Sequence, residues 1–370
     1  MEIYRPGRYD RFLFLSTCGL IAMGIIMVFS SSSILASEKY GLPFYFLIHQ
    51  VIGALLGLGF IFFLLRGRKA FYKNPYFVYG LLSLTLLLLF LCFVSPSHAR
   101  TNRWVEFLGI RFQPSELAKI SLVLFFSFYL EKIKDKMHEW RTLIFPSAVL
   151  FLFVLLIIKE PDYGTAFLIF FISALLFFVG GVKIKYFLFL GIPFFCLFIF
   201  YLFQAHYRLD RIFAFLSPEK DPTGKSFQIV QSKMAIGSGG LFGVNFGGST
   251  QKLFFLPCAH TDFIFAILGE ELGLIGSLAT LLLFLIFLWR GLAISMKATN
   301  LFNQLAAAGL TLVVCAQAFL NITIVFGLSP PTGVPLPLIS FGRSSLITSL
   351  FAAGILLNIS QRKANNSGKI

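Results

Sequence analysis

Ten apolar runs fill most of this chain, each close to the length of a helix that crosses a bilayer: 11–35, 44–65, 75–94, 113–131, 142–158, 163–181, 186–203, 262–289, 303–327 and 338–359. A span needs about 20 such residues. In hydrocarbon every backbone N–H and C=O must find a partner inside the protein, and a helix satisfies them within the segment. The chain therefore reads as an all-α polytopic membrane protein of ten transmembrane helices. It reads as one domain over residues 1–370, with a long polar loop at 204–261 between helices 7 and 8 and a polar tail at 360–370. Composition agrees, since only 13% of residues are charged, against about 25% in soluble domains. The first run lacks a small-residue cleavage site and reads as a retained span.

The net charge of +15 invites a nucleic-acid reading, but its placement argues otherwise. Arg5, Arg8 and Arg11 precede the first span. Arg66, Arg68, Lys69 and Lys73 follow the second, and Lys132, Lys134, Lys136 and Arg141 the fourth. Lys183 and Lys185 follow the sixth, Arg290 and Lys297 the eighth, and Arg362, Lys363 and Lys369 close the chain. Every second connection is basic, as the positive-inside rule expects of cytoplasmic loops. Both termini then lie in the cytoplasm.

The opposite face holds the polar chemistry. It carries 95–112, 204–261 and the segment 327–343, whose Pro330, Pro331, Pro335 and Pro337 forbid regular helix. Irregular backbone at membrane depth survives only when buried in protein or lining a polar cavity, so this segment is expected to re-enter the bilayer from outside.

An ionisable residue in a span costs at least ~2.5 kcal/mol, which makes each one a site candidate. Asp262, after His260 and Thr261, opens a span. It reads either as a helix cap or as a carboxylate whose pKa desolvation raises toward that of a useful base. On a regular helix Glu270 sits ~12 Å deeper and ~80° round from Asp262, within reach of the same cavity, while Glu271 points elsewhere toward a neighbouring helix. For both glutamates, pairing is the favoured role. Glu116 and Lys119 share a face three residues apart, as a self-neutralising pair or as a cavity wall. Arg100, Arg103 and Arg111, with Arg208, Arg211, Lys220, Lys225, Lys233 and Lys252, are basic residues on the outer side. A diphosphate ligand or anionic lipid headgroups account for them equally. Asp162 and Thr165 read as helix-start chemistry.

No phosphate loop, HExxH or clustered Cys/His set occurs, so no cofactor is implied. Cys18, Cys92, Cys196 and Cys315 fall in apolar runs and read as core, while Cys258 stands alone in an outer loop.

Six segments occur in a telling order: RWVEFLGIRFQPSELAK (103–119), EPDYGTA (160–166), RLDRIFAFLSPEKDP (208–222), FQIVQSKMAIGSGGLFG (227–243), QKLFFLPCAHTDFIFAILGEELG (251–273) and PLPLISFGRSSL (335–346). Together they resemble the SEDS family of bacteria, the shape, elongation, division and sporulation proteins. The likeness covers essentially the whole chain and is greatest to the division branch, with the elongation branch second.

The resemblance implies an inverting peptidoglycan glycosyltransferase that uses lipid II, an undecaprenyl-diphosphate disaccharide-peptide, as donor and acceptor. It implies septal synthesis at the outer face of the cytoplasmic (inner) membrane, and partnership with a class B penicillin-binding protein and other division-complex membrane proteins. The family's essential aspartate falls on Asp262. Its polar cavity residues fall on Arg103, Gln113, Ser115, Glu116 and Lys119, and Lys252, His260, Ser344 and Ser345 complete the expected substrate-binding set. Arg103 and Lys119 are the expected phosphate contacts. A dependence on a divalent cation suits a diphosphate leaving group, although no residue set identifies a metal site. A lipid II flippase and a non-catalytic division scaffold are the competing readings. Three positions depart from the family pattern: Cys258 replaces a glutamate, Phe341 and Arg343 alter the usual SYGGSS, and Glu160 replaces a glutamine. The changes at 258 and 343 make the mouth more basic, which is expected to strengthen diphosphate attraction or to alter a partner contact.

Overall fold

In the computed structural model the described residues are 9–67, 71–94, 103–107, 110–137, 139–204, 206–221, 224, 226–253 and 255–366. The expected Arg100 and Lys225 lie outside them, as do Arg5, Arg8, Arg68, Lys69 and Lys369. The chain folds as an all-helical bundle with one two-stranded hairpin. Its helices are α1 (Arg11–Tyr40), α2 (Tyr45–Arg66), α3 (Pro75–Val94), α4 (Pro114–Lys132), α5 (Trp140–Lys159) and α6 (Tyr163–Val179). They continue as α7 (Ile184–Gln204), α8 (His206–Leu216), α9 (Phe227–Gly239), α10 (Ile264–Met296), α11 (Leu301–Val325) and α12 (Arg343–Asn366). β1 (Val105–Phe107) pairs antiparallel with β2 (Ile110–Phe112), Val105 opposite Phe112.

Among the described residues eight helices are long and apolar enough to cross a membrane: α1, α2, α3, α5, α7, α10, α11 and α12. α6 is apolar but shorter, at 17 residues. α4 carries Glu116, Lys119, Glu131 and Lys132 along its length. Large apolar side chains such as Leu55, Phe63, Leu87 and Phe200 stand exposed on the outer surface. In a membrane they face lipid, and the chain is a multi-pass membrane protein.

Helices in lipid gain little from hydrophobic attraction to one another, so close packing and polar contacts hold them together. α11 is largely buried and packs on α4, α6, α10 and α12. One end of the bundle is tied by Asp10. Its carboxylate caps α1 through the Leu13 N–H at 3.0 Å and forms an ion pair with Arg290 of α10. Its backbone N–H reaches Ser360 of α12 at 3.1 Å. On the same side Tyr72 donates to Asn358 at 2.8 Å.

The tenth apolar run starts its helix at Arg343, not at 338 as the pattern predicts. Leu338 has φ +65, and Ser340 turns its hydroxyl to accept the Leu336 N–H at 2.8 Å, so the chain is still turning there. Cys196, expected in the core, is exposed on α7.

α10 breaks at Gly273, where φ is +64 and ψ −159. The broken ladder is repaired by the turn after α9. Glu270 C=O accepts the Val244 N–H at 3.0 Å, and the Leu274 N–H donates to Gly240 C=O at 2.9 Å. A Cβ on Gly273 would stand 2.6 Å from Leu241 C=O. Gly273→Ala combines that clash with a positive φ, a strain of about 1–3 kcal/mol before the clash is counted. A clear drop in the thermal midpoint of the detergent-solubilised protein, read by intrinsic fluorescence, is the expected outcome. An unchanged midpoint would show that α10 straightens at no cost.

Candidate active site

At the end of the bundle opposite Asp10, four non-helical segments converge: the hairpin residues 103–107 and 110–113, then 160–162, 258–263 and 326–342. Inward-facing polar side chains of α11 organise them. Asn321 donates to Asp262 C=O at 2.7 Å and to Val334 C=O at 2.8 Å. Gln317, one turn away, donates to Pro335 C=O at 2.9 Å. Ser340 Oγ donates to Thr261 C=O at 2.5 Å, and the Phe341 N–H to His260 C=O at 3.0 Å. Gln50 of α2 reaches Ser340 C=O at 3.3 Å. The proline-rich segment thus lies inside the bundle, with Val334, Leu336, Leu338 and Ile339 buried.

Asp262 sits in the turn 258–263, ahead of α10 and not on it. The turn is closed by the Thr261 N–H donating to Cys258 C=O at 3.1 Å. The helical estimate linking Asp262 to Glu270 therefore does not hold. Glu270 instead takes the Thr250 N–H at 3.0 Å and the hydroxyls of Ser249 and Thr250. Glu271 pairs with Lys252 at 2.8 Å and accepts from Ser30 of α1 at 2.6 Å. Both glutamates tie loop 249–252 to the bundle. Lys252, expected at the substrate, spends its ammonium on Glu271, Ser30 and Gly247 C=O. His260, also expected there, packs its ring on Phe46 and Phe341 at 4.8 and 5.9 Å between centroids. Burial and nearby Lys39 lower its pKa to about 4, so it is a neutral wall and not a cation.

Arg103 donates Nε to Glu160 C=O at 3.2 Å and another N–H to Pro161 C=O. Its Nη1 turns toward Asp262. A Cβ on Gly333 would lie 3.7 Å from Arg103 Nη1 and 3.6 Å from Asp262 Oδ2. Gly333, with φ +76, thus floors the gap between guanidinium and carboxylate. Arg211 approaches from α8 and donates to Pro331 C=O at 3.0 Å. Burial raises the Asp262 pKa to about 6, against the pull of Arg103 and Arg211.

Behind this gap, Gln113 and Ser115 both donate to Asp162 Oδ2 at 3.0 Å, and Ser344 accepts the Gln113 N–H at 3.0 Å. Asp162 caps α6 as its sequence suggests, and also anchors the start of α4. Deeper, Lys119 bonds to Glu116 at 2.8 Å and to Gln317 Oε1, while Gln317 reaches Ser345 at 3.5 Å. Lys119 is 2% exposed and engaged on two sides, so in this conformation it is not an open phosphate contact. Arg343 starts α12 at the same mouth, half-buried. Among the described residues no group of three or more His, Cys, Asp or Glu is gathered to hold a metal ion.

Gln317, Asn321 and Gly333 escape the sequence reading. The first two have a signal: they are polar, four apart, and on one face of an otherwise apolar run. Gly333 has none beyond its place among prolines.

The profile of the cell cycle protein family of FtsW, RodA and SpoVE matches residues 11–365. The chain belongs to that family. A Geobacter sulfurreducens relative named as a probable peptidoglycan glycosyltransferase FtsW is 39% identical over 98% of both chains. The stage V sporulation protein E of Bacillus subtilis is 36% identical over 95% of this chain and 97% of its own. Among solved structures, the rod shape determining protein RodA of Thermus thermophilus superposes with a TM-score of 0.69 at 25% identity, covering 96% and 97%. A chain from a peptidoglycan synthase complex, described as coordinating polymerization and crosslinking, gives 0.77 at 28% identity, covering 96% and 98%. The described helices of this family member and their order therefore have solved counterparts over nearly their whole length.

Glu160, one of the departures from the family pattern, is 0% exposed, and neither carboxyl oxygen meets an N–H or O–H donor, with only the Cys92 thiol beside it. Burial and the charge of Asp162 push its pKa up to about 9. A neutral acid there has nearly the shape of the glutamine that the resemblance leads one to expect. The folded state holds this proton where the unfolded state, near the ordinary value of 4.5, has lost it. Stability must therefore fall as pH rises from about 5 toward 9. Thermal midpoints measured at pH 6 and pH 8.5 should drop for the native protein and drop less for Glu160→Gln. Equal drops would place the ionisation elsewhere.

Proposed function

We propose that this protein is a peptidoglycan glycosyltransferase of the division type, polymerising lipid II into β-1,4 glycan at the outer face of the cytoplasmic membrane. The observation that carries the reading is the pairing of Asp262 with Arg103 across Gly333. Relatives named FtsW over nearly the whole chain support it.

The chemistry follows from the two groups. An acceptor 4-hydroxyl attacks the anomeric carbon of the donor, and the C–O bond to the diphosphate breaks with its electron pair going to phosphate. Asp262 takes the hydroxyl proton as general base. Arg103 and Arg211 stabilise the charge growing on the diphosphate. One displacement from an α-linked donor gives the β-linked product. Gln113, Ser115, Asp162 and Ser344 position the wall behind Arg103, and Glu116, Lys119 and Ser345 hold the deeper polar core.

The topology in this reading has ten spans, α1 to α7 and α10 to α12, with α4 and α6 crossing inside the bundle. The basic connectors and both termini face the cytoplasm. Loop 204–261 and the site face outward, and the septum is the place of action. A separate crosslinking partner of the class B penicillin-binding type supplies transpeptidation. That expectation is supported by the similar chain solved within a complex for polymerization and crosslinking.

The decisive assay is lipid II polymerisation by the purified protein with its cognate partner. Asp262→Asn should abolish glycan while leaving thermal midpoint and complex formation intact. Native-like glycan from that variant removes Asp262 from the mechanism. Translocation without polymer would favour a flippase, and neither activity a scaffold. Because the base must be ionised, kcat/KM of the native enzyme should rise about tenfold per pH unit up to pH 6, then level off, where an ordinary aspartate would level near pH 4. Gly333→Ala places a methyl group between the proton acceptor and the guanidinium, at a positive φ costing about 1–3 kcal/mol. Its glycan rate should fall at least tenfold, about 1.4 kcal/mol in barrier, and an unaffected rate would show that the gap is not where substrate binds.

A further inference from the structure

An apolar cavity of about 300 Å³ lies between α5, α6 and α7, away from Asp262. Trp140 and Tyr186 mark one end, and Ile144, Phe151, Phe170 and Phe194 line its walls. Along its walls Ser147 turns its hydroxyl back to Leu143 C=O at 2.5 Å, and the other polar groups of the lining, on Trp140 and Tyr186, lie at the aromatic end. Water inside would be poorly held, while the cavity opens toward the lipid-facing surface.

The aromatic end is different. The Arg141 guanidinium stands 5.9 Å from the Trp140 ring centre, and the Lys185 ammonium 5.2 Å from that of Tyr186. Both cations are exposed, as is Lys183 beside them, and neither Arg141 nor Lys185 forms an ion pair among the described residues. Aromatic rings of this kind sit at the level of lipid headgroups. Cations beside them attract anionic headgroups by about 1 kcal/mol each. An apolar cavity thus ends in a basic rim of the kind found at headgroup level.

We propose that this cavity seats one anionic glycerophospholipid, its acyl chain between α5 and α7 and its phosphate on Arg141 and Lys185. α7 needs such a filler. Among its described side chains only Phe194 is buried, and it touches α6 through rings: Phe194 stacks on Phe170 at 3.5 Å, and Phe198 meets Tyr163 edge-on at 5.5 Å. α7 leads directly into α8, whose Arg211 holds Pro331 beside the catalytic gap. The lipid therefore steadies the helix that delivers Arg211. The lipid II tail is a poorer occupant, because the basic rim lies at the end of the bundle away from Asp262.

Native mass spectrometry of the full-length protein in detergent tests this, with palmitoyl-oleoyl phosphatidylglycerol and the matching phosphatidylcholine as probes. The native protein should retain phosphatidylglycerol preferentially. Arg141→Ala or Lys185→Ala should each weaken it about fivefold, and the pair about thirtyfold, with phosphatidylcholine unaffected. Ala148→Trp, which fills the cavity, should lose both lipids. If the alanine pair proves unstable, Arg141→Gln with Lys185→Gln removes the charges and keeps the stems. Equal retention of the two lipids, indifference to the charge variants, or displacement by undecaprenyl phosphate would each overturn the proposal.

Discussion

The structure depends on satisfying the backbone of a segment that cannot be helix. Residues 326–342 run inside the bundle with proline at four positions, and their carbonyls and amides have no ladder to join. Side chains from α2 and α11, and from Ser340 within the segment, take that part. An unmet polar group at this depth would cost several kcal/mol, so Gln50, Gln317 and Asn321 are not free to drift. Because Asn321 bonds both Asp262 C=O and Val334 C=O, the amide that buries the irregular segment also fixes the carboxylate against Gly333. Fold and site share one set of hydrogen bonds.

Charge inside the bundle follows the same economy. Glu116 with Lys119, and Glu271 with Lys252, are buried pairs with further hydrogen bonds. Such pairs add little net stability, but losing one partner is costly, so they serve to fix register. Glu160 is neutral instead. Asp262 is the exception: partly buried, with two guanidiniums near but neither bonded to its carboxylate. That leaves the carboxylate unpaired with either cation, while each guanidinium spends some N–H groups on backbone carbonyls and keeps others for an anion.

Much of this was legible before the structure. Apolar length placed the long helices, because in lipid one local rule decides helix formation. The ordered motifs led to Asp262 and Arg103. What failed did so for tertiary reasons. The angle from Asp262 to Glu270 assumed a helix where residues 258–263 make a turn. Lys252 looked available because its partners, Glu271 nearby and Ser30 on α1, come together only on folding. Asp162 was legible as a cap, but not as the anchor for Gln113 and Ser115. Nor did the sequence hint that Gly333 lies between Asp262 and Arg103, because that is a fact of three segments meeting.

One substitution in the turn gives the molecule a built-in reporter. Cys258 is exposed four residues before Asp262, held at φ +59 in the same turn. Cys92 and Cys315 are buried, Cys18 is partly so, and the exposed Cys196 lies on a helix that faces lipid. In the proposed orientation, a water-soluble, membrane-impermeant thiol reagent therefore meets a single target, at the rim of the gap that holds Asp262. Occupancy of that gap becomes measurable as protection from alkylation, without an engineered label and without turnover.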